Sequence, residues 1–131
     1  MIVVDASALL EVLLNASAAP KIAERLFGGN DTLHAPHVLE LEVVQVLRRY
    51  NLSGQMDAER SEEALQDLAD LPLNRYPHDV FAFRIWALRQ NLTAYDAAYV
   101  ALAEALGAPL ITRDAALARA AGHRARIELI R

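Results

Sequence analysis

The 131-residue chain contains no cysteine, which excludes a disulfide scaffold, a thiolate metal centre, an iron–sulfur cluster and thiol catalysis. Lysine is almost missing too: Lys21 is the single lysine among 13 basic residues, and the rest are arginine. A phosphoacceptor receiver domain, which needs a lysine near its last strands, is thereby disfavoured. Glycine and proline number five each, and no GxGxxG follows the first apolar run, so a dinucleotide-binding module is excluded. Long hydrophobic runs are also lacking. The longest, Ala97 to Ile111, is broken by Glu104, Gly107 and Pro109 and is too short to span a bilayer. The opening MIVVD holds too few apolar residues for a signal-peptide core, so a cytoplasmic protein is expected. Finally, a formal net charge of −4 argues against coating nucleic acid by bulk charge.

What is present is a globular composition, 54% hydrophobic and 23% charged, at a length that suits one domain of roughly 150 residues. Such a chain buries about two-thirds of its unfolded surface, enough for a core without staples. Short apolar runs alternate with helical patterns. Strands are predicted at Ile2–Val4, Thr32–Ala35, Leu73–Tyr76 (an edge strand), Pro109–Thr112 and Arg126–Ile130. Helices are predicted to about Leu14, from Pro20 to Gly28, from His37 to Tyr50, from Asp57 to Leu71, from His78 to Gln90, from Ala94 to Leu106 and from Ala115 to Ala121. Strands joined by helical crossovers imply a parallel sheet covered on both faces, an α/β fold with a three-layer α/β/α sandwich.

In such a sheet ligands bind beyond the carboxyl ends of the strands. Asp5 follows the first strand directly, and Asp114 lies two residues after the PLIT strand. Asp96 falls in the first turn of the helix feeding that strand, and Glu42 lies within the third helix. Taken singly, each has a plain structural role: Asp5 and Asp114 as N-caps, Asp96 as half of a capping box with Thr93, Glu42 on a solvent face. As a set they are harder to dismiss. Glu42 falls between Val38 and Val46 on the helical wheel, and Asp96 has Tyr99 and Val100 one turn on. Acids beside apolar residues are not there for solubility. Two carboxylates at 4 Å repel by about 4 kcal/mol at an effective dielectric of 20, so a cluster takes up protons or a cation. With oxygen ligands alone the fitting ion is Mg²⁺ or Mn²⁺. The histidines (His34, His37, His78, His123) have no zinc-site spacing.

The segments IVVDASALLEVLL, APHVLELEVVQVLRRY and LTAYDAAYVALAEALGAPLITRDAAL resemble the PIN-domain ribonucleases, and among them the VapC toxins of toxin–antitoxin pairs, over essentially the whole chain. The resemblance implies a PIN-like fold over 1–131 with a helical arm at about 53–71. It also implies hydrolysis of RNA phosphodiester bonds at a metal site of Asp5, Glu42, Asp96 and Asp114. Asp5 and Asp96 would be primary ligands, Glu42 and Asp114 would complete or bridge the site, and Ser7 and Thr112 would support the acids. Glu40 is the alternative to Glu42 that helix geometry alone leaves open. Arg113, Arg48, Arg49, Arg84 and Arg89 are candidate RNA contacts; for Arg48 and Arg49 the favourable placement of cations at a helix C-terminus is an equal alternative. The resemblance further implies a homodimer and an antitoxin lying over the active site. The alternatives are a PIN-like RNA- or protein-binding module without activity, and a PIN nuclease outside toxin–antitoxin pairs. A haloacid-dehalogenase-type phosphatase fails because position 7 is Ser where a second Asp is needed.

Overall fold

Ile2, Val3 and Val4 are wholly shielded from solvent, the environment of a strand in the middle of a sheet covered on both faces. In the computed structural model, which describes residues 1–131, they form β1 (Ile2–Val4), with β2 (Leu33–Pro36) on one side and β4 (Leu110–Thr112) on the other. β3 (Leu73–Tyr76) and β5 (Ile127–Leu129) are the edges, the order is β3-β2-β1-β4-β5, and every pairing is parallel.

Between β1 and β2 run α1 (Ala6–Leu13) and α2 (Ala19–Phe27), and between β2 and β3 run α3 (Val38–Leu52) and α4 (Ala58–Asp70). A 3-10 turn (Asp79–Phe81), α5 (Ala82–Ala87) and α6 (Ala94–Leu106) lead to β4, and α7 (Ala115–Arg119) leads to β5. Right-handed crossovers place α1–α4 on one face and α5–α7 on the other. The packing agrees: α1 touches α2, α3 and α4, while α6 lies against β1, β2, β4 and α5. This is the expected α/β/α sandwich. No helix is long and apolar enough to cross a membrane.

Helix α6 is the inner helix. All seven residues from Ala97 to Ala103 are buried, four of them alanines that let the sheet approach closely. Gly107 ends it in the left-handed region (φ 61°), which a residue with a Cβ adopts only at a cost, and turns the chain into β4.

One predicted element is corrected. The segment His78–Gln90 is not a continuous helix but the 3-10 turn followed by the six-residue α5. Its large apolar residues do not form one buried stripe: Val80, Phe83 and Trp86 recur at spacing three and all point to solvent. Aromatic and β-branched residues have modest helix propensity, and with no buried face to offset it the helix stays short.

Candidate active site

The strand order reverses between β1 and β4, because the chain leaves β1 toward β2 and returns on the far side at β4. Beyond this junction lies Asp5, only 5% exposed. Its Oδ1 accepts from the Ala8 backbone N–H (2.9 Å), capping α1, and from Ser7 Oγ (2.7 Å); its Oδ2 accepts from Thr112 Oγ1 at the end of β4. Ser7 Oγ in turn accepts from the Arg113 N–H at 3.0 Å, and Thr112 Oγ1 from the Asp114 N–H at 2.9 Å. The two hydroxyls therefore stitch β1, α1 and the β4–α7 turn around one carboxylate.

Asp5, Glu42, Asp96 and Asp114 line a single cavity of about 390 Å³ together with Ser7. They arrive from four places: the end of β1, the second turn of α3, the first turn of α6 and the N-cap of α7. Asp114 does cap α7, its Oδ1 accepting from Ala116 and Leu117, and Thr93 Oγ1 caps α6 by accepting from the Asp96 N–H at 3.1 Å. The capping roles and the shared cavity are thus both real. Glu40 lies elsewhere, paired with Arg75 on β3. Two residues along a helix are 200° apart, so Glu40 and Glu42 take opposite sides of α3.

Burial chiefly raises the pKa of Asp5, against the opposing hydrogen bonds from Thr112, Ala8 and Ser7; the charge of Asp96 adds to the rise. Burial likewise raises Glu42, with Asp96 and Asp5 adding and the Tyr99 hydroxyl opposing. Asp96 is raised by burial and then by Asp114. No arginine, lysine or histidine forms an ion pair with any of the four acids. The cavity is therefore short of positive charge, and its donors are all oxygens, a set that fits a hard divalent cation. No three acids or histidines converge closely enough to enclose an ion by themselves. Water or substrate oxygens would have to complete the shell, as Mg²⁺ usually requires.

Of the candidate RNA contacts, Arg49 lines the same cavity and forms no ion pair. Arg113 is drawn to Glu11 (3.4 Å), another cavity residue, and to the Ile130 carbonyl. Arg48 is exposed and away from the cavity. Arg84 is locked to Glu104 by two 2.8 Å bonds, and Arg89 stacks on Trp86 at 4.4 Å, so both are engaged elsewhere. No histidine lines the cavity; His34, for one, bridges Thr32 and Tyr76. In the sequence Tyr99 stands only as an apolar neighbour of Asp96. It is 1% exposed, and its hydroxyl donates to Glu42 Oε1 at 2.6 Å, with its pKa pushed far above the usual phenol range by burial and then by Glu42. The signal available was its position three residues after Asp96, on the same side of the helix.

A family model described as a PIN domain matches residues 2–123. Ribonuclease VapC12 of Mycobacterium tuberculosis is 41% identical over 130 residues, 99% of both chains. The chain belongs to the PIN-domain family of VapC ribonucleases. VapC ribonuclease Mb0985 of Mycobacterium bovis is 46% identical over 116 residues, 87% of this chain and 86% of its own. A solved structure titled a toxin–antitoxin complex from Klebsiella pneumoniae shares the fold, with a TM-score of 0.65 at 20% identity over 87% of each chain. PIN-domain VapC ribonucleases generally depend on divalent metal.

Proposed function

We propose that the chain is a metal-dependent endoribonuclease, the toxin of a toxin–antitoxin pair, forming one PIN-like domain over 1–131 and cutting RNA at the cavity of Asp5, Glu42, Asp96 and Asp114. The observation that carries this reading is the convergence of four carboxylates from four elements on one cavity in which no basic side chain neutralises them. Mg²⁺ is the ion we assign, with Mn²⁺ as substitute, because every donor is a hard oxygen. When bound, the ion lowers the pKa of a coordinated water and stabilises charge on the phosphate. Asp5 and Asp96 hold it, Glu42 and Asp114 complete the site, and Ser7 and Thr112 keep Asp5 from turning. Arg49, at the cavity, is the first candidate for a substrate phosphate. Arg113 becomes available if it leaves Glu11, and Arg48 is a more distant contact.

We place the cognate antitoxin over the same cavity, whose walls include the apolar Leu10, Leu14 and Val46, with the arm at about 53–71 tied to the end of α1 by Arg60, which donates to the Leu13 carbonyl at 2.8 Å. A homodimer and a cytoplasmic location complete the reading.

The test is cleavage of a folded cellular RNA pool by purified protein, with Mg²⁺ or Mn²⁺, with chelator, and with Asp96→Asn. Discrete products lost in both controls are expected. No cleavage by a folded, antitoxin-free protein would favour a binding module. Glu42→Gln should lower cleavage by on the order of 100-fold, whereas Glu40→Gln, on the far side of α3, should change it less than about threefold. The opposite ranking would remove Glu42 from the site.

A further inference from the structure

We infer that Tyr99 is a positioning residue for the divalent-cation site, its hydroxyl holding Glu42 Oε1 so that Oε2 is the oxygen presented to the cavity. The inference rests on the metal-site reading above and adds a residue that acts through Glu42.

The geometry has three parts. First, the Tyr99 hydroxyl donates to Glu42 Oε1 at 2.6 Å, while Oε2 has no protein partner. Second, the ring cannot leave, because Tyr99 is 1% exposed and belongs to the buried side of α6. Third, Tyr99 and Asp96 are one turn apart on that helix, so a single rigid element carries one acid and fixes the orientation of another.

Glu42 depends on this single partner, where Asp5 and Asp114 each have several. Asp5 is fixed by three hydrogen bonds and Asp114 by two helix N–H groups. Glu42 stands mid-helix on a longer side chain, and the Tyr99 bond is its one polar contact with the protein. Without it the carboxylate would rotate between rotamers, and its charge would have no protein hydrogen bond. Partners of this kind around metal-ligating carboxylates typically govern affinity by 10–100-fold. Phenylalanine in the same place keeps the ring and its packing and removes only the donor.

The experiment measures Mn²⁺ binding by calorimetry to the wild-type protein and to Tyr99→Phe. Alongside it, the Mg²⁺ concentration for half-maximal RNA cleavage and the melting temperature in chelator are measured for both. Mn²⁺ affinity should fall about 10-fold or more in Tyr99→Phe, and the Mg²⁺ midpoint should rise in parallel. The cleavage rate at saturating Mg²⁺ should stay within a few-fold of wild type, because the ligands are intact. Loss of packing alone would lower the melting temperature and the plateau without moving the midpoint. An unchanged Mn²⁺ affinity and Mg²⁺ midpoint in a folded Tyr99→Phe overturn the inference while leaving the site standing. A wild-type protein that binds no Mn²⁺ overturns the site, and this inference with it.

Discussion

At Asp5 one carboxylate caps α1, receives the hydroxyls of Ser7 and Thr112, and faces the acid cavity. Asp96 caps nothing with its carboxylate and feels Asp114 across the cavity, which makes it the cleaner probe of charge. Asp96→Asn should therefore raise the melting temperature in chelator, by about 2–4 °C, while abolishing metal-dependent cleavage. Differential scanning calorimetry with and without Mg²⁺ measures the first half; a fall in stability would show that the charge is compensated. The pH dependence has a defined sign. Folding raises Asp5, Glu42 and Asp96 above ordinary values of 3.8 to 4.5, so the stability they contribute is present below those values and lost as pH rises through the raised ones. A divalent cation competes with those protons. Saturating Mg²⁺ should thus raise the melting temperature more at pH 8 than at pH 5. These acids were legible in the sequence because each follows a strand end or lies beside apolar residues. The role of Tyr99 was not, because a phenol in an apolar helix looks like core until its partner on α3 is known.

Between elements, the strongest polar tie away from the cavity is Glu104 on α6. It accepts two bonds from Arg84 of α5 and one from the Arg124 N–H in the segment before β5. Its side chain is 5% exposed, and the Arg84 guanidinium, aided by the Arg124 N–H, holds its pKa down to about 2. A lowered carboxylate stabilises the fold fully above its unfolded value of 4.5 and loses that contribution as pH falls through about 2. Glu104→Gln should cost about 2 kcal/mol at pH 7 in urea denaturation, since it leaves Arg84 without its partner. The difference from wild type should close as pH falls toward 2; a constant difference would mean that shape, not charge, is lost. Helix and strand order were readable from periodicity and caps, including the edge position of β3. The break in the segment 78–90 was not, because exposed Val80, Phe83 and Trp86 mimic the spacing of a buried helical stripe.

For the molecule as a whole, the same three side chains matter again. Val80, Phe83 and Trp86, with Tyr95, are 61–93% exposed, and Trp86 carries Arg89 against its ring. Exposed aromatic and arginine side chains are typical of association surfaces. This face is therefore where the proposed homodimer is to be tested first. Phe83→Asp, at a position 93% exposed, should leave the fold intact and shift sedimentation equilibrium from dimer to monomer. An unchanged dimer would move the interface elsewhere. Which apolar side chains stand exposed was not in the sequence, since exposure is a property of the folded chain. The sheet order also has a consequence for how the protein is made. β1 lies at the centre, yet its neighbour β4 pairs with it only through Leu110 and Ile111, and the Thr112 hydroxyl that reaches Asp5 comes 107 residues later in the chain. At roughly 5–20 residues per second, ribosomes need on the order of 5–20 s to synthesise that span. A nascent chain carries Asp5 and Glu42 long before Asp96 and Asp114 exist, so the acid cavity is incomplete until Asp114 has been made. An antitoxin that recognises the walls of that cavity therefore meets its finished surface only after β4 has docked beside β1.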